Sequence, residues 1–172
     1  KLQPIVNFAR KEFYADVENP VLTIACDIGI LTADKFTRKD SPNYWCLKSE
    51  ITYFEIGGKK LLLLPGELFP ELVFGGALSA EESATGKGSE INPKLLCDIV
   101  DDDNILVFGL ANDELGYILP PNDYLLHEKS PYIENGRDKH DRRHYEETNS
   151  MGPKTAQVIA DAVEDIIKAI KK

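Results

Sequence analysis

The chain has 172 residues, of which 42% are hydrophobic and 28% are charged, a composition typical of one globular domain with its own core. Its net charge of −9 argues against nucleic acid and anionic membrane as partners, because their phosphate groups would repel the protein. No apolar run approaches the roughly 20 residues of a membrane-spanning helix, so no transmembrane segment is predicted. The three cysteines (Cys26, Cys46 and Cys97) follow no metal-binding or redox spacing and are interpreted as structural thiols.

The N-terminal part of the chain is predicted to hold a helix and then a strand. Residues 2–17 carry apolar side chains close to helical spacing, with Pro4 where a first turn tolerates it, and these features predict a helix. Residues 21–28 are rich in β-branched side chains and follow Asn19 and Pro20, which predicts a strand.

A β-hairpin is predicted in the middle of the chain. Residues 50–56 alternate apolar and polar side chains, Gly57 and Gly58 turn the chain, and residues 60–64 run back. The leucines at 61–64 are continuous, which favours a strand that is covered on both faces of its sheet.

The remaining elements indicate an α/β or α+β fold, with a buried mixed sheet flanked by helices. We predict helices at 68–74 and 94–100, a strand at 105–110, a surface loop at 79–89 and a long loop or insertion at 119–150. The last segment has apolar residues at helical spacing and predicts a long C-terminal helix, with Asn149 or Ser150 as its cap and Pro153 in its first turn.

Polar side chains follow the two strands that are predicted to be most buried, at the carboxyl end of each. Pro65 and Gly66 end the first strand and present Glu67 at the edge where open α/β sheets bind ligands. The second strand leads to Tyr117, whose hydroxyl can donate, accept or ligate a metal ion. Each residue alone has a simpler interpretation, since Glu67 can cap a helix and Tyr117 can lie at the edge of the core.

Taken together, the two segments resemble the C-terminal part of the neutral (non-lysosomal) ceramidase family. The motifs are Pro-Gly-Glu at 65–67, Gly-Leu-Ala-Asn-x-x-x-Gly-Tyr at 109–117, Tyr-Glu after His144, and Gly-Pro-x-Thr at 152–155. The resemblance covers residues 61–162 and implies a zinc amidohydrolase that cleaves the amide of an N-acyl sphingoid base.

The resemblance also implies roles for individual residues. Glu67 and Tyr117 would ligate zinc, Tyr145 would be the catalytic residue that holds the scissile carbonyl, and Asn112 and Glu146 would contact the substrate. A zinc ion with nitrogen and oxygen ligands keeps a position open for water and lowers the pKa of that water to about 7. A hydroxyl such as that of Tyr145 can then stabilise the oxyanion that forms on attack.

The chain also departs from the family in ways that affect what is expected of it. The two histidine ligands of the family come from a region upstream of the resemblance. Residues 1–172 are therefore expected to be one domain, the C-terminal portion of a larger two-layer or three-layer catalytic domain. Its partners would be the upstream part of the same protein and a small-molecule or lipid amide substrate. Residues 129–143 are interpreted as an insertion, and the family resemblance implies a secreted or periplasmic protein, with the cytoplasm left open.

Two alternatives remain open at this stage. His140 and His144 have the spacing that would bring both imidazoles to one face of a helix and form a different metal site. They lie among the cations Arg137, Lys139 and Arg142, so a solvated charged loop is favoured over this metal site. The second alternative is a non-catalytic α/β interaction or structural domain that has kept the fold without the metal.

Overall fold

The computed structural model describes residues 4–42, 44–88, 93–127, 129, 131 and 137–171. Its strands are β1 (Val6–Asp16), β2 (Phe36–Thr37), β3 (Trp45–Ile56), β4 (Lys59–Leu63), β5 (Glu67–Leu68), β6 (Leu106–Phe108) and β7 (Tyr117–Ile118). Its α-helices are α1 (Pro20–Asp27), α2 (Glu71–Phe74), α3 (Leu96–Val100) and α4 (Thr155–Ile170), and two 3-10 turns span Pro121–Asp123 and Glu146–Asn149.

The main sheet is mixed, and its strands follow the order β1-β3-β4-β6, with β2 added beside β3. The pairs β1–β3 and β3–β4 are antiparallel, whereas β4 and β6 are parallel. A second, two-stranded sheet joins β5 and β7 in parallel. The predictions of an α/β fold with a mixed sheet, a central hairpin and a long C-terminal helix are therefore confirmed.

Helix α4 covers one face of the main sheet and forms the core with it. Alternate residues of a strand point to the same face, and Ile51 and Leu62 are fully buried on the face that α4 contacts. Along α4, Ile159, Val163 and Ile166 recur at helical spacing and are also buried. The burial of this helix therefore follows from the spacing that is visible in the sequence.

One end of the opposite face of the sheet is apolar and partly exposed in the described part of the chain. The strand register places Phe8, Phe54, Leu61 and Leu106 side by side across four strands. Phe8 is 60% exposed and Leu106 is 49% exposed. The described residues thus cover the leucine strand on one face, where the sequence predicted cover on both.

The predicted first helix is wrong, because residues 6–16 form strand β1. This strand pairs with β3 along its whole length, from Val6 opposite Ile56 to Asp16 opposite Cys46. The buried side chains Phe13 and Ala15 lie two residues apart, which is the period of a strand. Long-range pairing with β3 outweighs the helical spacing of a few apolar residues.

The predicted strand at 21–28 is also wrong, because helix α1 occupies this position. Asn19 is the N-cap and its side chain accepts a hydrogen bond from the Val21 amide, while Pro20 begins the helix. An Asn followed by Pro is thus a helix start here, and the β-branched residues do not override it. No residue of α1 is buried, so packing against the core does not favour a strand at this position.

Two further boundaries differ from the prediction. The segment at 68–74 holds only the single turn of α2, which begins at Glu71, and its first residue, Leu68, belongs to β5 in the second sheet. Helix α4 begins at Thr155 with Lys154 as N-cap and no capping side chain, so neither Asn149 nor Ser150 caps it.

The three cysteines, Cys26, Cys46 and Cys97, are free thiols. Among the described residues, no helix has the length and apolar character needed to cross a bilayer.

Candidate functional site

The carboxyl ends of β4 and β6 meet because these two strands are parallel neighbours. The Leu64 amide bonds to the Phe108 carbonyl at 2.9 Å, and the Leu110 amide bonds to the Gly66 carbonyl at 3.1 Å. A Cβ atom at Gly109 would lie 2.7 Å from the Gly66 oxygen, so only glycine allows this approach. Both motifs that the sequence singled out therefore leave the main sheet at the same point.

Glu67 and Tyr117 are direct neighbours in the second sheet. They are paired residues of β5 and β7, and the Glu67 amide bonds to the Gly116 carbonyl at 3.0 Å. A Cβ atom at Gly66 would lie 2.5 Å from that same carbonyl oxygen, so the two strands approach backbone to backbone. Glu67 is exposed and Tyr117 is half-buried, which leaves both side chains accessible to a ligand.

Tyr145 reaches the same place from the far end of the chain. It precedes the 3-10 turn Glu146–Asn149, and Ser150 after this turn forms a β-bridge with Gly116. The hydroxyl groups of Tyr117 and Tyr145 lie 3.4 Å apart, and their rings meet edge to face with centroids 5.7 Å apart. The structure thus brings together the three residues that the resemblance assigned to metal binding and catalysis.

The surroundings of the Tyr117 hydroxyl favour its protonated form. The hydrogen bond to Tyr145 raises the pKa of Tyr117, as do burial and the nearby Glu67 carboxylate. A neutral phenol is therefore favoured in the protein alone, because a phenolate would face the negative charge of Glu67. A cation between the two oxygens would reverse this preference, since it stabilises both anionic donors.

The donor set fits part of a zinc site. Glu67 and Tyr117 provide two oxygen donors side by side, whereas zinc in proteins takes about four ligands. In the described part of the chain, no group of three or more His, Cys, Asp or Glu side chains is placed to hold a metal ion. A zinc ion bound here would therefore require further ligands besides these two oxygens.

Asn112 lies at the carboxyl end of β6, on a strained turn. It has a positive φ of 74° and Leu110 has one of 51°, a conformation that asparagine tolerates better than leucine does. The Asn112 amide donates to the Thr52 hydroxyl at 3.1 Å, which ties the turn to β3. Glu146 follows Tyr145 and is half-buried. The assignment of both residues to substrate contact stays a prediction.

The paired-histidine alternative loses its geometric premise. Residues 140–144 are not helical, so the two imidazoles do not share a helix face. The His140 Nε2 atom lies 3.0 Å from the Glu81 carbonyl oxygen on the surface. The His144 imidazole is buried, with Nδ1 2.6 Å from Glu147 and Nε2 3.3 Å from Asp138. Each histidine therefore has a protein partner of its own.

An open groove lies beside Glu67. It has a volume of about 490 Å³, and apolar side chains form most of its wall: Leu68, Val73, Phe74, Val107 and Leu110. Of the apolar residues that follow Glu67 in sequence, Leu68 and Phe74 line this groove, whereas Leu72 is buried in the core. An apolar surface therefore adjoins the carboxylate.

The residues that hold Tyr145 in place are distant from it in the sequence and carry no motif. The Asn19 amide donates to the carbonyls of Glu147, Thr148 and Ser150 at 3.0, 3.0 and 2.9 Å. These bonds join residues more than a hundred positions apart. The one signal in the sequence is Asn19 before Pro20, a helix start that is incompatible with the predicted strand at 21–28.

Comparison of the chain with models of protein families, with curated proteins and with solved structures gives no match. The resemblance to neutral ceramidases thus stays a prediction that rests on the motifs and their order in this sequence.

Proposed function

We propose that this chain forms part of a metal-dependent amidohydrolase, in which Glu67 and Tyr117 ligate zinc and Tyr145 binds the reacting carbonyl. The observation that carries the proposal is that these three side chains meet, although they come from β5, from β7 and from the segment before the last 3-10 turn. The motifs that indicate these three residues are independent of this contact, because they depend only on the sequence.

The proposed substrate is a linear N-acyl amide of the ceramide type. The groove of about 490 Å³ beside Glu67 has apolar walls, as an acyl chain requires. Asn112 and Glu146 are the polar residues proposed to contact the substrate.

The roles of the side chains follow from their positions. A bound zinc ion supplies Lewis-acid activation of the amide and of a water molecule. Glu67 and Tyr117 would hold the ion through their side-chain oxygen atoms, and Tyr117 would bind as the phenolate, with its proton passing to solvent water. The Tyr145 hydroxyl would donate a hydrogen bond to the oxyanion. The 3.4 Å distance between the two hydroxyls supports the proposal that this donor acts next to a metal ligand.

The test is metal content and amide hydrolysis of the full-length protein that carries this chain. We expect Glu67→Ala and Tyr117→Phe to lower bound zinc at least tenfold and to abolish hydrolysis of an N-acyl sphingosine. Glu114→Ala and Tyr14→Phe are the controls, because both residues are exposed and lie outside the site. Unchanged zinc and unchanged hydrolysis in both site variants would rule out the proposal.

The isolated chain gives a second measurement. With two oxygen donors we expect weak zinc binding by calorimetry, lost in Glu67→Ala. Tight one-to-one binding that survives Glu67→Ala and disappears in His140→Gln would instead support a site at the histidines.

A second candidate function is that of a non-catalytic interaction or structural domain. The observation that favours it is the apolar row Phe8, Phe54, Leu61 and Leu106, in which Phe8 and Leu106 are exposed and the other two half-buried. Monomeric proteins rarely expose large contiguous apolar patches. Metal analysis separates the two functions. If the full-length protein binds no zinc, and Glu67→Ala does not change its metal content, the interaction domain is favoured.

A further inference from the structure

A buried charged cluster lies directly beside Tyr145 in the chain. It consists of Asp138, His144 and Glu147, and the His144 imidazole between the two acids is only 6% exposed. Both carboxylate side chains are fully buried. Charged groups at such depth require partners, because burial removes the hydration that stabilises them in water.

The histidine joins the two acids through its two ring nitrogens. Nδ1 lies 2.6 Å from Glu147 Oε1, a short charge-assisted hydrogen bond. Nε2 lies 3.3 Å from Asp138 Oδ2, within ion-pair distance but without the alignment of a hydrogen bond. The Glu147 contact is the stronger of the two, since it has both the shorter distance and the better geometry.

Both acids are also fixed to other parts of the chain. Asp138 accepts hydrogen bonds from the Arg142 amide at 2.9 Å and from the Arg142 Nε at 2.7 Å. Glu147 accepts one from the Leu125 amide at 3.1 Å. The charged cluster therefore connects the segment before Tyr145 with the 3-10 turn after it and with the loop at Leu125.

Tyr145 itself is held mainly through its neighbours. Its side chain is 41% exposed, and within the described part of the chain its ring and hydroxyl contact Tyr117. The backbone before it is anchored at the buried His144, and the backbone after it is anchored by Asn19 and by the bridge from Gly116 to Ser150. Loss of one anchor would free the hydroxyl to move away from Tyr117.

We propose that His144, held between Asp138 and Glu147, is a positioning residue that keeps the Tyr145 hydroxyl beside Tyr117. The geometric part of this proposal stands on the contacts above, and its catalytic consequence rests on the proposed function. His144 would act through the backbone of the adjacent residue and would touch neither substrate nor metal.

The geometric part is tested by ¹⁹F NMR of the chain with 3-fluorotyrosine in place of Tyr145. We expect Tyr117→Phe to shift this resonance in the otherwise native chain, because the hydroxyl contact is lost. In the His144→Gln background we expect Tyr117→Phe to leave the resonance unchanged, since the contact is already absent. His140→Gln is the matched control, an exposed histidine of the same segment, and should preserve the shift.

A folded His144→Gln protein in which Tyr117→Phe still produces the native shift would overturn the proposal. Circular dichroism checks that the variant is folded at the temperature of the NMR measurement. If His144→Gln does not fold, Glu147→Gln carries the same measurement. It keeps an acceptor for the Leu125 amide and removes the charge facing His144, so a native response there would also overturn the proposal.

The catalytic part is tested in the full-length enzyme. We expect His144→Gln to lower kcat about 100-fold through misplacement of the hydroxyl, with KM and zinc content unchanged. An unchanged kcat would overturn this part. If the native protein holds no zinc and cleaves no amide, the proposed function fails, whereas the ¹⁹F measurement still decides whether His144 positions Tyr145.

Discussion

Tyr117 and Tyr145 face each other with their hydroxyl oxygens 3.4 Å apart and their rings edge to face, and this contact closes the candidate site. The contact depends on backbone packing behind the two rings. The Gly66 and Gly116 backbones touch, and Gly116 in turn touches Asn149. The hydroxyl-bearing side chains of the candidate site are thus aligned by the close backbone packing of two glycines.

We predict that Tyr145→Phe retains the fold and zinc but loses catalysis. The change removes one hydroxyl on a side chain that is 41% exposed, so the free energy of unfolding should change by less than about 1 kcal/mol. Loss of an oxyanion donor should lower kcat about 100-fold or more. Steady-state kinetics and metal analysis of the same preparation check this. A variant that lost its zinc would show that Tyr145 serves the metal site.

We predict that Gly116→Ala is strongly destabilising. Its Cβ atom would lie 1.8 Å from the Asn149 oxygen, and its φ of +77° disfavours any L side chain. Together these effects should cost about 3 kcal/mol or more in urea unfolding. Gly29→Ala is the control, because Gly29 has the same φ but nothing within 4 Å of its Cβ position. It should cost only about 1 to 2 kcal/mol, and equal costs would contradict the packing argument.

We predict that adjacent leucines of β4 differ in their effect on stability. Leu62 is fully buried against the helical layer, and Leu62→Ala should lower the free energy of unfolding by about 3 kcal/mol. Leu61 is half-buried on the open face, and Leu61→Ala should cost about 1 kcal/mol. Chemical denaturation of the two variants measures this difference. Similar losses would mean that the second face is covered in solution.

We predict a dependence of stability on pH that disappears in His144→Gln. The hydrogen bond to Glu147 raises the pKa of His144, although burial opposes it. The charged imidazole therefore stabilises the fold fully below its unfolded pKa of about 6.5, and this contribution is lost as the pH rises through the higher folded pKa. Urea unfolding from pH 6 upwards should show a steeper decline for the native chain than for the variant. Parallel curves would contradict this assignment.

The contribution of Asp138, in the same cluster, to stability depends on pH in the opposite direction. Burial alone would raise the pKa of Asp138, but hydrogen bonds from Arg142 outweigh burial and lower it. Its contribution is therefore present above the unfolded pKa of about 3.8 and is lost as the pH falls towards the folded value. Asp138→Asn should reduce the loss of stability between pH 5 and pH 2, compared with the native chain.

We predict that Asn19→Asp destabilises the chain by about 3 kcal/mol, because the two N–H groups that three carbonyl oxygens share are lost and a buried negative charge replaces them. The aspartate still accepts from the Val21 amide, so the helix cap is preserved. Its charge would face the carbonyl oxygens of Glu147, Thr148 and Ser150. The same change at the exposed Asn104 should cost less than about 0.5 kcal/mol. Thermal unfolding compares the two.

The sequence predicted the elements whose signals are local. The hairpin through Gly57 and Gly58, the strand at β6 and helix α4 each depend on spacing or turn residues within a short window. It failed at β1, where pairing with the distant β3 decides the structure, and at α1, where one cap overrides a β-branched run.

The candidate site was predictable only as a set of residues. Motif order selected Glu67, Tyr117 and Tyr145, but neither spacing nor composition indicates that the last two share a contact. The buried role of His144 was also hidden, because Arg137, Lys139 and Arg142 around it in sequence indicated a solvated loop. In the fold, Asp138 and Glu147 surround the imidazole, and these contacts depend on a turn that the sequence does not predict.

The backbone contact between Gly116 and Asn149 separates the scaffold of this site from its working groups. This packing involves no side-chain atom of Glu67, Tyr117 or Tyr145. Each of these three residues can therefore be substituted while the backbone of the site keeps its structure. Such a frame can acquire or lose a reaction through single substitutions, whereas a side chain at Gly116 would remove the capacity for any of them.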